Sequence, residues 1–420
     1  MINLETFTLA PGFRAAAVAC GLKTSSVMAA SSLDMGLVMA DGPCSAAGVF
    51  TTNRVKAAPV LYDQQVLAEN ASGIRAVIIN AGNANAVTGP QGLENAQRMA
   101  ELTAYALRCQ PQDVLVLSTG VIGRQLPMDK LTQGIAEVTS PIAEQGAGAV
   151  ARAIMTTDTR PKVAMRHVEI GGQTVTISGF CKGAGMIHPS MATMLAVITT
   201  DAALLPAVLD RVLRQAANRS FNRISVDGDT STNDTLLLLS SGKISVRELS
   251  DARADSLVPS GASTALAQFS AALTDLCIDL AKQIARDGEG ATRLIEIRVI
   301  GAADEAQAHA VANTIAISPL VKTAVHGGDP NWGRVLMAAG RSGAAIDPAR
   351  LTLTFGAPES AVVVVKDGLP AQYSEAEAAA LFRHDPVLIQ LDLGLGDAVT
   401  TVWTCDFSKA YVEINAHYTT

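Results

Sequence analysis

The chain has 420 residues, 49% hydrophobic and only 17% charged, against the ~25% charge usual in soluble domains, so intrinsic disorder is excluded. Two or three domains, or one large α/β unit, are expected at this length. A net charge of −7 with no basic cluster argues against a nucleic-acid groove or an anionic lipid surface as partner. Six scattered cysteines without a CxxC pair offer neither a disulfide framework nor a zinc site and read as small buried hydrophobes.

The opening MINLETFTLAPGF has no basic n-region and carries Glu5 where a signal peptide needs an apolar run, so a cytoplasmic location is expected. The uncharged stretches 183–200 and 256–274 are interrupted by His188, Pro189 and Pro259, and no membrane span is expected. Residues 75–80 and 113–118 read as buried strands. Between them 91–108 reads as a helix with Leu93, Ala96, Ala100, Ala104 and Leu107 on one face. The runs 163–170 and 173–180 flank Gly171-Gly172, which predicts a hairpin with a two-residue turn. Amphipathic helices are expected at 202–216 and 262–286, the second with Leu266, Phe269, Leu273, Leu276, Leu280 and Ile284 at spacings of three and four. Late strands follow at 293–300, 351–355, 361–365, 387–393 and 398–403. This alternation predicts an α/β fold, and neither a repeat nor a linker marks a domain boundary.

Most familiar chemistries find no support in the motifs. His167-Val168-Glu169 opens like a deaminase zinc signature, but its PCxxC is missing, and no HExxH occurs. Gly183-Ala184-Gly185 begins like a dinucleotide fingerprint, yet position 188 is His; no GK[ST] loop and no GxSxG elbow is present. His167 then reads as a surface or packing residue of the hairpin. The segment 182–201, KGAGMIHPSMATMLAVITTD, puts a glycine-rich loop before an apolar strand. One reading is a turn feeding a buried strand, with its threonines present for β propensity. A second is chemical: cleavage between Ala192 and Thr193 would make Thr193 both nucleophile and base, because a free α-amino group titrates at ~7.7–8.0 whereas a lysine titrates near ~10.4.

That segment resembles the cleavage segment of the ornithine acetyltransferases, the bifunctional glutamate N-acetyltransferases of arginine biosynthesis. The likeness extends in order through GVFTTNRVKAAPV (48–60), INAGNANA (79–86), LSTGVIGRQLP (117–127), AIMTTDTRPK (153–162), SFNRISVDGDTSTNDT (220–235), ARDGEGATR (285–293), DPNWGR (329–334) and YVEINAHYTT (411–420). The resemblance implies a layered α/β fold of N-terminal-nucleophile type. It also implies autocleavage at Ala192–Thr193 into chains 1–192 and 193–420, assembled as two copies of each.

By the same resemblance Thr193 is the acetyl-accepting nucleophile, Thr119 and Gly120 form the oxyanion hole, and Thr156, Lys182, Thr193, Glu289, Asn415 and Thr420 contact substrate. Read by themselves, Thr119-Gly120 is a strand-ending turn, Lys182 and Glu289 are exposed loop charges, and Asn415 is a strand-end residue. The implied reaction moves acetyl from N2-acetyl-L-ornithine to L-glutamate through an acetyl-Thr193 ester. It needs neither metal nor cofactor, with acetyl-CoA as a further donor to be considered. Lys182 is a candidate to grip the carboxylate common to both substrates. His188 and Ser190 depart from the usual cleavage segment. Two rival readings stay open: an N-terminal-nucleophile amidase or aminopeptidase that passes the acyl group to water, and an uncleaved homologue that only binds an acetylated amino acid.

Overall fold

The Gly171-Gly172 turn forms as the sequence predicts. Both glycines take positive φ (58° and 74°), and the strands Lys162–Ile170 and Gln173–Lys182 pair in register from Ile170 opposite Gln173 to Lys162 opposite Cys181. The computed structural model describes residues 2–23, 33–140, 143–188, 194–250 and 261–417. These fall into two compact units, one built from residues up to 222 with 229–281, the other from 223–228 with 282 onward.

Among the described residues the first unit holds a mixed nine-stranded sheet. Its main path runs Val114–Val121, Ile74–Asn83, Met35–Phe50, Thr235–Ile244, Leu195–Ala202, Gln173–Lys182, Lys162–Ile170. Two neighbours are parallel, 74–83 with 114–121 and 195–202 with 235–244, and the other pairs are antiparallel. The strands 75–80 and 113–118 of the sequence reading are therefore real and longer. Helix Gly89–Leu107 buries Ala96, Ala100 and Ala104 as its periodicity requires. The helix expected from residue 202 starts later, at Pro206, because Ala202 ends the strand Leu195–Ala202 and proline suits the first helical turn.

The second unit has its own sheet, ordered Leu369–Pro370, Val362–Lys366, Thr352–Phe355, Val387–Asp392, Leu294–Ala302, Ala398–Cys405, Ile224–Ser225. Its core includes Ile295, Ile297, Val299, Leu353, Phe355, Ile389 and Leu391, the inward positions of alternating strands. His167 is exposed on its hairpin strand. All six cysteines are free; Cys44, Cys181, Cys277 and Cys405 are buried, whereas Cys20 and Cys109 are only partly so. No helix among the described residues is long and apolar enough to cross a membrane.

Strand 114–121 closes one end of the first sheet, which leaves outward N–H groups in need of partners. Asp63 of helix Ala58–Asn70 supplies one acceptor: its Oδ1 takes the Val116 N–H at 2.8 Å. Burial pushes this carboxyl well above its usual range, a shift the Val116 N–H only partly opposes. The folded chain then keeps a proton that the unfolded chain releases near about pH 4. That stabilisation is complete below the unfolded value and is lost as pH rises toward the folded one. Asp63→Asn should flatten the loss of stability above about pH 4, by at most about 1.4 kcal/mol per pH unit for one proton. Urea midpoints measured across pH for variant and wild type check this, and superimposable slopes would refute it.

Candidate active site

Thr119 and Gly120 do not form a turn. Strand Val114–Val121 runs through both, with Thr119 opposite Ala81 and Gly120 opposite Gly82. Gly120 has φ of +132°, and a Cβ there would stand 2.3 Å from the Gly82 carbonyl carbon and 2.5 Å from the Asn83 nitrogen. Gly82 in turn has φ of +117°, and its Cβ would meet the Leu22 carbonyl at 2.8 Å. Three backbones are thus layered with no side chain between them, which only glycine permits. Buried amides hold the layers in place: Ser118 Oγ donates to Asn80 Oδ1 (2.6 Å), and Asn233 Nδ2 donates to the Ala84 and Ser118 carbonyls (2.6 and 2.9 Å). The INAGNANA block owes its amides to this scaffold.

Lys182 is not an exposed loop charge either. It ends strand Gln173–Lys182, is 3% exposed, and donates from Nζ to Thr119 Oγ1 at 3.3 Å. Its register partner on the next strand is Leu195, two residues beyond position 193. Beside it Asp158, also buried, accepts from Lys162 Nζ (2.6 Å), the Gly183 N–H (2.7 Å) and the Thr156 N–H (3.0 Å). Burial alone would raise the Asp158 carboxyl; Lys162, then Lys182 and the Gly183 N–H, overcome that and hold it well below the usual carboxylate range. Thr156 and Lys182 are therefore drawn to one carboxylate from different parts of the chain. His188, half-buried, has its imidazole lowered by burial, with Asp229 acting in the opposite sense.

The strand that follows the expected cleavage point is pinned at its first described residue. The Met194 N–H donates to Asp234 Oδ1 (2.9 Å), and the Met194 carbonyl accepts from the Thr235 N–H (3.0 Å). Among the described residues Asp234 Oδ2 has no hydrogen-bond partner. Burial drives this carboxyl well above its usual range, against the pull of the Met194 N–H, Thr51 and Lys182. Ser190, Ala192, Thr193 and Thr420 lie outside the described residues.

Glu289 and Asn415 belong to the second unit and bind each other: Asn415 Nδ2 donates to Glu289 Oε2 at 2.8 Å. Glu289 is 8% exposed, not a solvated loop charge. Asn415 sits on helix Lys409–His417 and not at a strand end. Gly290 lets the two segments meet, since a Cβ there would fall 2.4 Å from the Tyr411 nitrogen.

Asp158, Lys162 and Asp234 escaped the sequence reading. Asp158 and Lys162 share the short block TTDTRPK with Arg160, where nothing local marks them as buried, and only Asp234, standing directly before the apolar run TLLLL, carries a local signal of being drawn inward.

The sequence pattern of the ArgJ family matches residues 14–420. The chain is similar to the arginine biosynthesis bifunctional protein ArgJ of Dehalococcoides mccartyi, 46% identical over 99% of this chain and 97% of that one. It is also similar to the mitochondrial ArgJ protein of Heterostelium pallidum, 41% identical over 100% of this chain and 96% of the other. A crystal structure of an ArgJ protein from Bacillus halodurans is 42% identical, covers 53% of this chain and 98% of its own, and has a TM-score of 0.47.

Asp158→Asn removes the charge that compensates two buried ammonium groups. The expected cost is about 3–5 kcal/mol, the range for breaking a buried pair from one side. Chemical denaturation measures it, and a loss under about 1 kcal/mol would show that the pair is not what holds this corner.

Proposed function

The chain belongs to the ArgJ family, and from that premise we propose that it is a self-processing acetyltransferase of arginine biosynthesis that carries acetyl from N2-acetyl-L-ornithine to L-glutamate on Thr193. One observation supports this most directly: Lys182 joins the Thr119 hydroxyl to the strand that begins beside Met194. Oxyanion donors and nucleophile strand share a single lysine.

Cleavage of the Ala192–Thr193 bond frees the α-amino group of Thr193. In the first half-reaction Thr193 Oγ attacks the acetyl carbonyl of acetylornithine, and its proton passes to that amine. The carbonyl electron pair moves onto oxygen, where the Thr119 hydroxyl and the Gly120 N–H donate to it. Lys182 beside Thr119 makes the hydroxyl a stronger donor. Collapse expels the ornithine α-nitrogen, which takes the proton from the Thr193 amine. The second half-reaction repeats these steps in reverse order with the glutamate amine. Both ends are amides of α-amino acids, so the exchange is close to thermoneutral and calls for no cofactor. Thr156, Lys182, Thr193, Glu289, Asn415 and Thr420 contact substrate in this reading. The two chains, of 192 and 228 residues, assemble as two copies of each in the cytoplasm.

Denaturing mass spectrometry of the purified protein should give two species, the second with the N-terminal sequence TMLAV. Thr193→Ala should stay intact and lose about a thousandfold or more of its transfer rate. Mixed with acetylornithine, wild type should yield N-acetylglutamate when glutamate is present and little free acetate when it is absent. Acetate in both cases would instead identify an amidase. A soluble, intact, inactive wild type would leave only the binding homologue, and coenzyme A released from acetyl-CoA would report the second donor.

A further inference from the structure

The site holds one more ammonium group than its carboxylates account for. Lys162 is paired with Asp158 at 2.6 Å, and Lys182 faces the same carboxylate while donating to Thr119. The third is Lys23. Its main chain is fixed by Asp34, a buried carboxylate whose two oxygens accept the N–H groups of Cys20 (2.7 Å), Leu22 (2.6 Å) and Lys23 (3.3 Å). The same stretch lies against Gly82, whose Cβ would approach the Lys23 nitrogen to 3.1 Å, and Gly82 lies against Gly120. Lys23 therefore stands in the layer of backbone just behind the oxyanion strand. Its Nζ donates to the Leu33 carbonyl at 2.6 Å and is partly open to solvent. No carboxylate among the described residues is within ion-pair distance of it.

We propose that Lys23 is the specificity-determining contact for the α-carboxylate of the amino-acid substrates, leaving Lys182 to serve the oxyanion side. The inference rests on the acetyl-transfer reading of the same site. A cation with a single carbonyl as partner, beside a site already holding Lys182, attracts a carboxylate and gives no such attraction to a ligand that lacks one. Both substrates carry that carboxylate at the same carbon as the reacting nitrogen, so one fixed ammonium orients donor and acceptor alike. Asp34, Asp158 and Lys182 are the charged groups that act on Lys23; burial lowers its ammonium to about 8, with Lys182 adding to that and the two aspartates opposing it. A bound carboxylate favours the charged form, so substrate affinity should weaken as pH rises above about 8.

The test is steady-state kinetics of wild type, Lys23→Met and Lys23→Arg, counted per cleaved chain, with acetylornithine, glutamate and the decarboxylated donor N-acetylputrescine. In Lys23→Met the KM for both natural substrates should rise tenfold or more while kcat stays within about threefold, and the preference for acetylornithine over N-acetylputrescine should narrow at least tenfold. Lys23→Arg should restore KM and keep it flat above pH 8, where that of wild type climbs. A Lys23→Met enzyme with wild-type KM and an unchanged preference would overturn the proposal. Should that variant fail to fold, a Lys23→Arg profile that climbs with the wild-type one would overturn it equally. Absence of wild-type turnover with acetylornithine would remove the acetyl-transfer reading itself, which separates the two failures.

Discussion

A carboxylate sealed from water is the constraint from which the first unit's site follows. Asp158 is 2% exposed, and an ion that deep costs several kcal/mol unless every lone pair is used. Its donors come from the turn at Thr156, from Lys162 at the head of one hairpin strand and from Gly183 just past the tail of the other. Satisfying one oxygen pair therefore fixes three pieces of chain at once. Lys182, almost entirely buried, helps to hold the Asp158 carboxyl low, and its Nζ donates to the Thr119 hydroxyl, so the carboxylate and the strand end at Thr119 are linked through one side chain.

The second constraint is steric. Leu22, Gly82 and Gly120 pack main chain against main chain, at separations that a methyl group would violate by about 1 Å. Parallel pairing of 74–83 with 114–121 sets this register, and the buried Asn80, Asn83, Ser118 and Asn233 take up the polar groups that such close layering strands. Electrostatics and sterics thus converge on one short stretch of one strand, from opposite sides.

Regular segments were easy to read from the sequence, and the glycine hairpin came through with its register, because period-two alternation and a Gly-Gly turn are local signals. Strand Met35–Phe50 was not read, since Asp41-Gly42-Pro43 imitates a turn; the chain absorbs it as a shift in pairing between Met39 and Cys44. Strand Thr235–Ile244 lies inside the sheet between two neighbours, so its unbroken leucines have no alternation to reveal it. Site residues followed the same divide. Thr119 and Gly120 were placed by resemblance, but that Lys182 and Glu289 are buried depends on partners far away in sequence, as does the helical position of Asn415. No window of sequence reports that Asp158 and Lys162 neutralise each other inside the core.

The sheet order has a consequence for what the molecule would become if the bond between 192 and 193 were severed. Strand 195–202 is flanked by 173–182 on one side, and strand 235–244 by 35–50 on one of its own. Both seams would join residues on opposite sides of the severed bond. Cleavage would leave the two polypeptides interleaved edge to edge, unable to part without tearing the sheet. The folded particle loses little, whereas the denatured state gains the freedom of two independent chains. Recovery from denaturation would then become a bimolecular encounter whose yield depends on dilution, as in an obligate heterodimer. Maturation would turn a unit whose refolding is a single-chain event into one whose persistence rests on the height of its unfolding barrier.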